Sequence, residues 1–394
     1  MFGSQFTFLA LPLVAAVTLQ ATPFQMGLLG VCQTAPALLF ALPAGVWLDR
    51  VPRRPAMVAS QLASLVALAT VPLAALFHAL SIPQLYAVSF ATGAATVFLL
   101  VSQTAYLPSL VGREHLVEAN SKYQTTRTIA QLAAPGVAGA VVQAITAPMA
   151  ITFDALSFLV GAVTTAWIRR PEPAPGVEGP RRHVLAEALE GLRVLWSHPL
   201  VRSITLTLVV ANAGGSLSGA VFVLLFVNHL GITPFELGLL GAAGSLTSLL
   251  GAQVARPLVA RLGIGPLMVA GAVLFAAGVL LNLPAALAPR PAVFPILLAG
   301  ALITGLGLMV YNVNQQAIRQ SVIANHLLGR AQAGVVVLVY LGQVAGALAG
   351  GVLGQAEGLL AALVAGTLLT ALNFLPAVFS PLRSLRAVPS AAGR

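Results

Sequence analysis

The chain has 394 residues, of which 58% are hydrophobic and only 8% are charged. A soluble domain carries roughly a quarter of its residues as Asp, Glu, Lys or Arg, so this chain lacks the charge to cover a water-facing surface. Its net charge of +10 is carried in short stretches between apolar runs without interleaved aromatics, which speaks against a nucleic-acid groove and for membrane topology.

A helix needs about 20 apolar residues to cross a bilayer. Backbone groups facing lipid must be paired within a helix or a closed barrel. The apolar runs 56–77 and 358–379 have no strand alternation, so helices are expected. In chain order the predicted spans are 3–19, 24–48, 56–77, 84–107, 124–146, 149–168, 202–227, 236–255, 264–287, 293–317, 331–354 and 358–379. The fold class is therefore an all-α membrane protein of about twelve transmembrane helices. The first span begins without a basic flank, so no cleaved signal peptide is read there. The lone cysteine, Cys32, lies in an apolar span and is expected to be a packing residue.

With both termini placed in the cytoplasm, the inner segments and the helix ends beside them hold nineteen of the twenty basic residues, and only Arg290 falls outside. This asymmetry orients the chain by the positive-inside rule. One connection is long. Residues 169–201 open with Arg169 and Arg170, pass through four prolines up to Pro180, and continue as HVLAEALEGLRVLW. Leu185, Leu189, Leu192 and Trp196 fall near helical spacing. This predicts an amphipathic helix, either on the inner membrane face or as a solvated linker. The expected domains are residues 1–168, the linker 169–201, residues 202–379 and a cytoplasmic tail 380–394.

The halves are related. TPFQMGLLG begins at Thr22 and TPFELGLLG at Thr233, with seven of nine positions identical at an offset of 211. An offset of 212 then pairs Thr92, Gly93, Gln103 and Gly139 with Thr304, Gly305, Gln315 and Gly351. This predicts two parallel six-helix repeats, an arrangement that in transporters places the substrate site near the midplane at the repeat interface. The second repeat runs about a dozen residues upstream of the position matching Met1, so the start of the first helix is expected to be missing.

After span 2 comes GVWLDRVPRRP, from Gly45 to Pro55. Physically, Gly45 permits close helix approach, and Arg50, Arg53 and Arg54 can reach carboxylates, lipid headgroups or helix C-termini. The alternative is a simple positive-inside anchor. The motif resembles the loop 2–3 signature of the major facilitator superfamily. That resemblance implies a conformational latch formed by Gly45, Asp49, Arg50, Arg53 and Arg54. Span 5 carries AAPGVAGA, which resembles the helix-5 signature of exporters in that superfamily through Pro135, Gly136 and Gly139, with Ala134 in place of the usual glycine. The phrases GREHLVEANS from Gly112 and FDALSFLVGA from Phe153 extend the resemblance to the enterobactin-exporter and macrolide-efflux branch. The family's helix-4 arginine is absent, which puts a standard proton mechanism in question.

Charged groups within a membrane are functional candidates by default. Asp154 is the one carboxylate placed well inside a span. It is read either as a proton-coupling group or as a helix-pairing group, with Arg127 at a different depth. Helix 6 is usually peripheral in this superfamily, which favours pairing. The resemblance assigns the cavity to helices 1, 4, 7 and 10, and so to Gln5, Phe8, Thr96, Gln103, Asn212, Ser216, Asn312 and Gln315, with Phe6, Phe98 and Phe222 as further aromatic candidates. An apolar cavity with a few neutral polar groups suits small amphiphilic ligands. No Walker loop, metal-ligand spacing or nucleophile–base set is present, so neither an enzyme nor a cofactor is expected.

The reading is a monomeric, multi-pass transporter of the inner (plasma) membrane that exports drug- or siderophore-type molecules. Its expected partners are the substrate, protons and membrane lipid, with no nucleic acid. The alternatives are an importer or lysolipid-flipping protein of the same fold, or a non-transporting membrane scaffold.

Overall fold

The computed structural model describes residues 2–48, 50–111, 113–169, 184–324 and 327–387, and it is helical, without a strand among them. Helix α1 (Phe2–Leu13) runs into a π-helical turn, Val14–Thr18. It is followed by α2 (Pro23–Leu48), α3 (Arg53–Leu76), α4 (Ile82–Val111), α5 (Leu116–Ile145) and α6 (Ala147–Trp167). The linker helix is α7 (Val184–Ser197). Then come α8 (Pro199–Val223) with a second π-helical turn Leu224–His229, α9 (Pro234–Leu262), α10 (Ile264–Leu280) and the short α11 (Asn282–Leu287). The chain continues through α12 (Arg290–Val322), α13 (Leu328–Ala356), α14 (Leu359–Ala371) and α15 (Phe374–Val378). Eleven of these spans are long and apolar enough to cross a membrane, and Phe6–Thr18 is a shorter apolar helix. Large apolar side chains such as Val66, Leu76 and Val160 remain exposed on the spans, as lipid contact requires.

The sequence repeat is repeated in the hydrogen bonds. Leu19 N–H donates to Val14 O and Ala21 N–H to Ala15 O; 211 residues on, Leu230 donates to Leu225 O and Ile232 to Phe226 O. The TPFQ and TPFE phrases are capping boxes. Thr22 N–H donates to Gln25 Oε1 (2.9 Å) and Gln25 N–H to Thr22 Oγ1 (3.3 Å). Thr233 and Glu236 exchange the same pair at 2.7 and 3.2 Å. Thr146 and Gly358, 212 residues apart, both take positive φ (107° and 95°) between consecutive helices.

Contacts divide the chain into two units. One is Met1–Arg181 with Thr233–Leu239, and the other is Arg182–Ile232 with Leu240–Arg394. Within the first, α1 packs on α5 and α6, and α3 on α4 and α6; within the second, α8 packs on α13 and α14, and α10 on α12 and α14. Close crossings use small residues, as membrane helices do. A Cβ at Gly214 of α8 would meet Thr370 N at 2.4 Å, and one at Gly350 of α13 would meet Leu217 O at 2.2 Å.

Several helices outrun their predicted spans. The stretches 256–263 and 319–330, expected as loops, are helical through Leu262, through Val322 and again from Leu328. Apolarity marks only the hydrocarbon-embedded part of a helix, and backbone pairing continues past it. The basic residues Arg256, Arg261 and Arg319 therefore sit on helices.

Helix α7 is neither free nor merely laid on a surface. Leu192 and Leu195 pack with Val201, Ile323, Ala331 and Val335 in one cluster. Leu195 is the buried anchor, while Trp196 of the expected stripe is 48% exposed. Gly191 lies against the α13 backbone, where a Cβ would meet Arg330 O at 2.2 Å. Gly191→Val is expected to detach α7 at a cost of about 1–3 kcal/mol of overpacking. The checks are a lowered melting temperature of the purified protein and faster tryptic cleavage after Arg193.

Candidate functional site

Four groups of residues carry the site. The first is the turn between α2 and α3. Arg53 Nη1 donates to Ala105 O of α4 at 3.2 Å. Arg54 Nε donates to Thr165 O at 3.3 Å, and its Nη2 donates to Ala166 O, both in the last turn of α6. The Arg54 guanidinium thus sits at the C-terminal end of α6, against its last carbonyls and the negative end of the helix dipole. Gln61 Nε2 ties α3 to the same turn through Thr165 Oγ1 (3.1 Å). Arg50 is exposed, and Asp49 lies outside the described residues. Gly45 does not make the close approach expected of it, since a Cβ there would meet nothing within 4 Å. The tight contact of α2 and α4 falls instead at Gly93, 3.0 Å from Gln33 O by the same measure.

The second group is on α5. Pro135 and Gly139 face the opening turn of α9. A Cβ at Gly139 would lie 2.5 Å from Pro234 O, and one at Gly238 would lie 2.4 Å from Pro135 O. The two backbones thus touch directly, which side chains larger than hydrogen would prevent. Gln143 Oε1 accepts Phe235 N–H at 3.1 Å beside this crossing.

The third group surrounds Asp154, which is 1% exposed. Its Oδ2 accepts a hydrogen bond from Thr7 Oγ1 of α1, and its Oδ1 accepts from Ser157 Oγ at 3.1 Å. Next to it Phe6 stacks on Phe153 with ring centroids 6.0 Å apart. Among the described residues no Lys, Arg or His side chain pairs with Asp154. Arg127 is exposed on α5.

The fourth group is the set of polar residues on the spans. Asn212 of α8 accepts from Gln343 Nε2 of α13 at 2.8 Å and donates to Leu208 O. Gln315 is 6% exposed, and its Oε1 has no partner among the described residues. Thr96 is exposed and bonds its own helix at Thr92 O (2.7 Å). Gln103, Ser216 and Asn312 are half-buried, and Phe8 is 73% exposed. Gln5's side chain lies outside the described residues. Phe6 is buried against Phe153, Phe98 packs edge-on against Trp47, and Phe222 packs with Phe226. Sequence reasoning missed Gln343, whose partner Asn212 it found. It also missed the polar stretch Gln124, Thr125, Thr126 and Gln131, exposed on α5. The run KYQTTRTIAQ was the available signal, an unusually polar stretch entering a membrane span.

Two repeats of six apolar helices, with polar groups held within the spans, define a polytopic membrane protein. A family model described as Major Facilitator Superfamily matches residues 1–227 and again 204–393, and the chain belongs to that superfamily. It is 26% identical over 359 residues to the multidrug efflux pump Tap of Mycolicibacterium fortuitum, covering 88% of this chain and 85% of that protein. It is 25% identical over 160 residues to macrolide efflux protein A of Streptococcus pyogenes, covering 41% and 40%. The fold is similar to a bacterial homologue of the iron transporter ferroportin in an inward-facing state, with TM-score 0.76, 16% identity and 96% and 94% of the two chains covered. It is also similar to the nucleoside transporter NupG, with TM-score 0.70, 11% identity and 96% and 97% covered. The protein is thus a membrane transporter and not an enzyme.

Proposed function

We propose that this protein is a proton-coupled secondary transporter of the inner membrane that exports small amphiphilic molecules, of drug or siderophore type, by alternating access of its two repeats. The observation that carries the export reading is the backbone crossing of Pro135 and Gly139 of α5 on Pro234 and Gly238 of α9. The efflux names of the two sequence relatives support the same direction. Uncharged polar groups such as Gln103, Asn212 and Asn312 on apolar helices support a ligand bound mainly by burial and a few hydrogen bonds. In this reading both termini are cytoplasmic, the protein acts as a monomer in lipid, and Asp154 carries the proton.

The experiment is flux in proteoliposomes holding the purified protein, with an amphiphilic fluorescent cation and an imposed pH gradient. Uphill movement of the dye, lost on collapse of the gradient, is the expected result. No flux at matched protein content would sink the transport reading. In the same assay Asp49→Asn is expected to slow transport by about tenfold or more, equivalent to roughly 1.4 kcal/mol, with membrane insertion intact. Unchanged flux would leave the α2–α3 turn a topological anchor.

A further inference from the structure

A cavity of 230 Å³ lies in the second unit, where the end of α12, the start of α13 and α7 meet. Its polar lining is Gln316, Arg319, Gln320 and Gln332; Leu195, Ile323 and Val335 close the apolar side. At about 30 Å³ per water, it has room for a group of several heavy atoms.

Arg319 sets the chemistry. It is 7% exposed, so more than nine-tenths of it is buried. Its Nη2 donates to Gln332 Oε1, and that is the side chain's one hydrogen bond among the described residues. A guanidinium has five N–H donors and stays charged. A buried charge with one neutral partner is unfavourable unless an anion completes it. No described carboxylate does so. The last turn of α12 offers a favourable dipole, yet the dipole leaves the planar fork of donors unfilled. The glutamines beside it add neutral amide donors, suited to oxygens that need several hydrogen bonds.

We propose that this cavity binds a phosphate group, with Arg319 as the bidentate anchor and Gln316, Gln320 and Gln332 as neutral donors. Planar guanidinium matches two oxygens of a phosphate. The phosphate comes either from an anionic lipid headgroup or from a soluble phosphoester on the side where the basic helix ends gather. Because α7 supplies Leu195 to the wall, occupancy couples anion binding to the docking of the linker helix. The proposal does not depend on the direction or substrate of transport.

The test uses the purified full-length chain. In one arm, native mass spectrometry follows retention of phosphatidylglycerol against phosphatidylcholine in mixed micelles. In the other, thermal shift follows titration with glycerol 3-phosphate. Saturable binding in either arm, weakened at least tenfold by Arg319→Gln, is expected. Retention of phosphatidylglycerol without a shift from glycerol 3-phosphate identifies a lipid headgroup, and the reverse identifies a soluble phosphoester. Gln332→Glu, which brings a carboxylate to the guanidinium, keeps the question open to test if Arg319→Gln fails to fold. It should abolish binding and raise the melting temperature. Absence of binding in both arms, or binding indifferent to both substitutions, overturns the proposal. So does a tenfold gain of affinity on Glu187→Gln with Glu190→Gln, since a carboxylate of this chain would then be the occupant.

Discussion

Asp154→Asn is expected to abolish uphill export driven by a pH gradient while downhill exchange of substrate continues. The carboxylate is buried on α6 and held by two hydroxyls, Thr7 and Ser157, with no described cation beside it. An asparagine keeps the shape and can still accept a hydrogen bond, so α1 and α6 remain paired. What it removes is the ability to gain and lose a proton. Buried ionisable groups within a membrane span serve relays and coupling sites, and α1, which donates Thr7, is one of the helices that the family resemblance leads one to expect at the cavity. Comparison of uphill and exchange flux at matched protein content separates the roles. Persistence of uphill export in the variant would assign coupling elsewhere. Loss of both fluxes together with a collapsed melting transition would make Asp154 a helix-pairing residue.

Gly139→Leu is expected to reduce transport by at least about tenfold, a barrier change of roughly 1.4 kcal/mol, through a different route. Even the first carbon of a side chain at Gly139 would sit 2.5 Å from Pro234 O and 2.9 Å from Gly238 Cα. The neighbours are backbone atoms and cannot rotate away, so α5 and the opening turn of α9 must separate. Overpacking of this kind costs about 1–3 kcal/mol or more. Gly219→Ala on α8 is the control, since a Cβ there meets nothing within 4 Å. A Gly139→Leu protein with native flux would show that the crossing is not used in transport.

How much of this was legible in the sequence follows from what each feature depends on. The apolar spans and their pairing into repeats depend on composition and on the Thr22 and Thr233 phrases, and both are plain in the chain. The reason for the identity at those phrases, a capping box in each repeat, needed the hydrogen bonds. The π-helical turns at Val14–Thr18 and Leu224–His229 have no local signal, because VAAVT and LLFVNH share no breaker residue. Arg319 falls in the gap between the predicted spans 293–317 and 331–354, where a positive charge after an apolar run reads as a helix end; its burial and its Gln332 partner are tertiary facts. Of the cavity candidates, Asn212 proved bonded across to Gln343, a residue on a helix outside the expected four. Leu195 lay outside the expected α7 stripe because docking on α13 and α8, not a flat membrane face, chose the buried side.

The most direct test of alternating access is the reach of a membrane-impermeant thiol reagent to one position from both sides. Gln103→Cys in a Cys32→Ala background is suitable, because Gln103 is half-buried on α4 within a span. In oriented vesicles the cysteine is expected to react from either face, with the ratio of the two rates shifting when substrate or a pH gradient is applied. Reaction from a single face under every condition would contradict a transporter that exposes one site alternately to the two sides of the membrane.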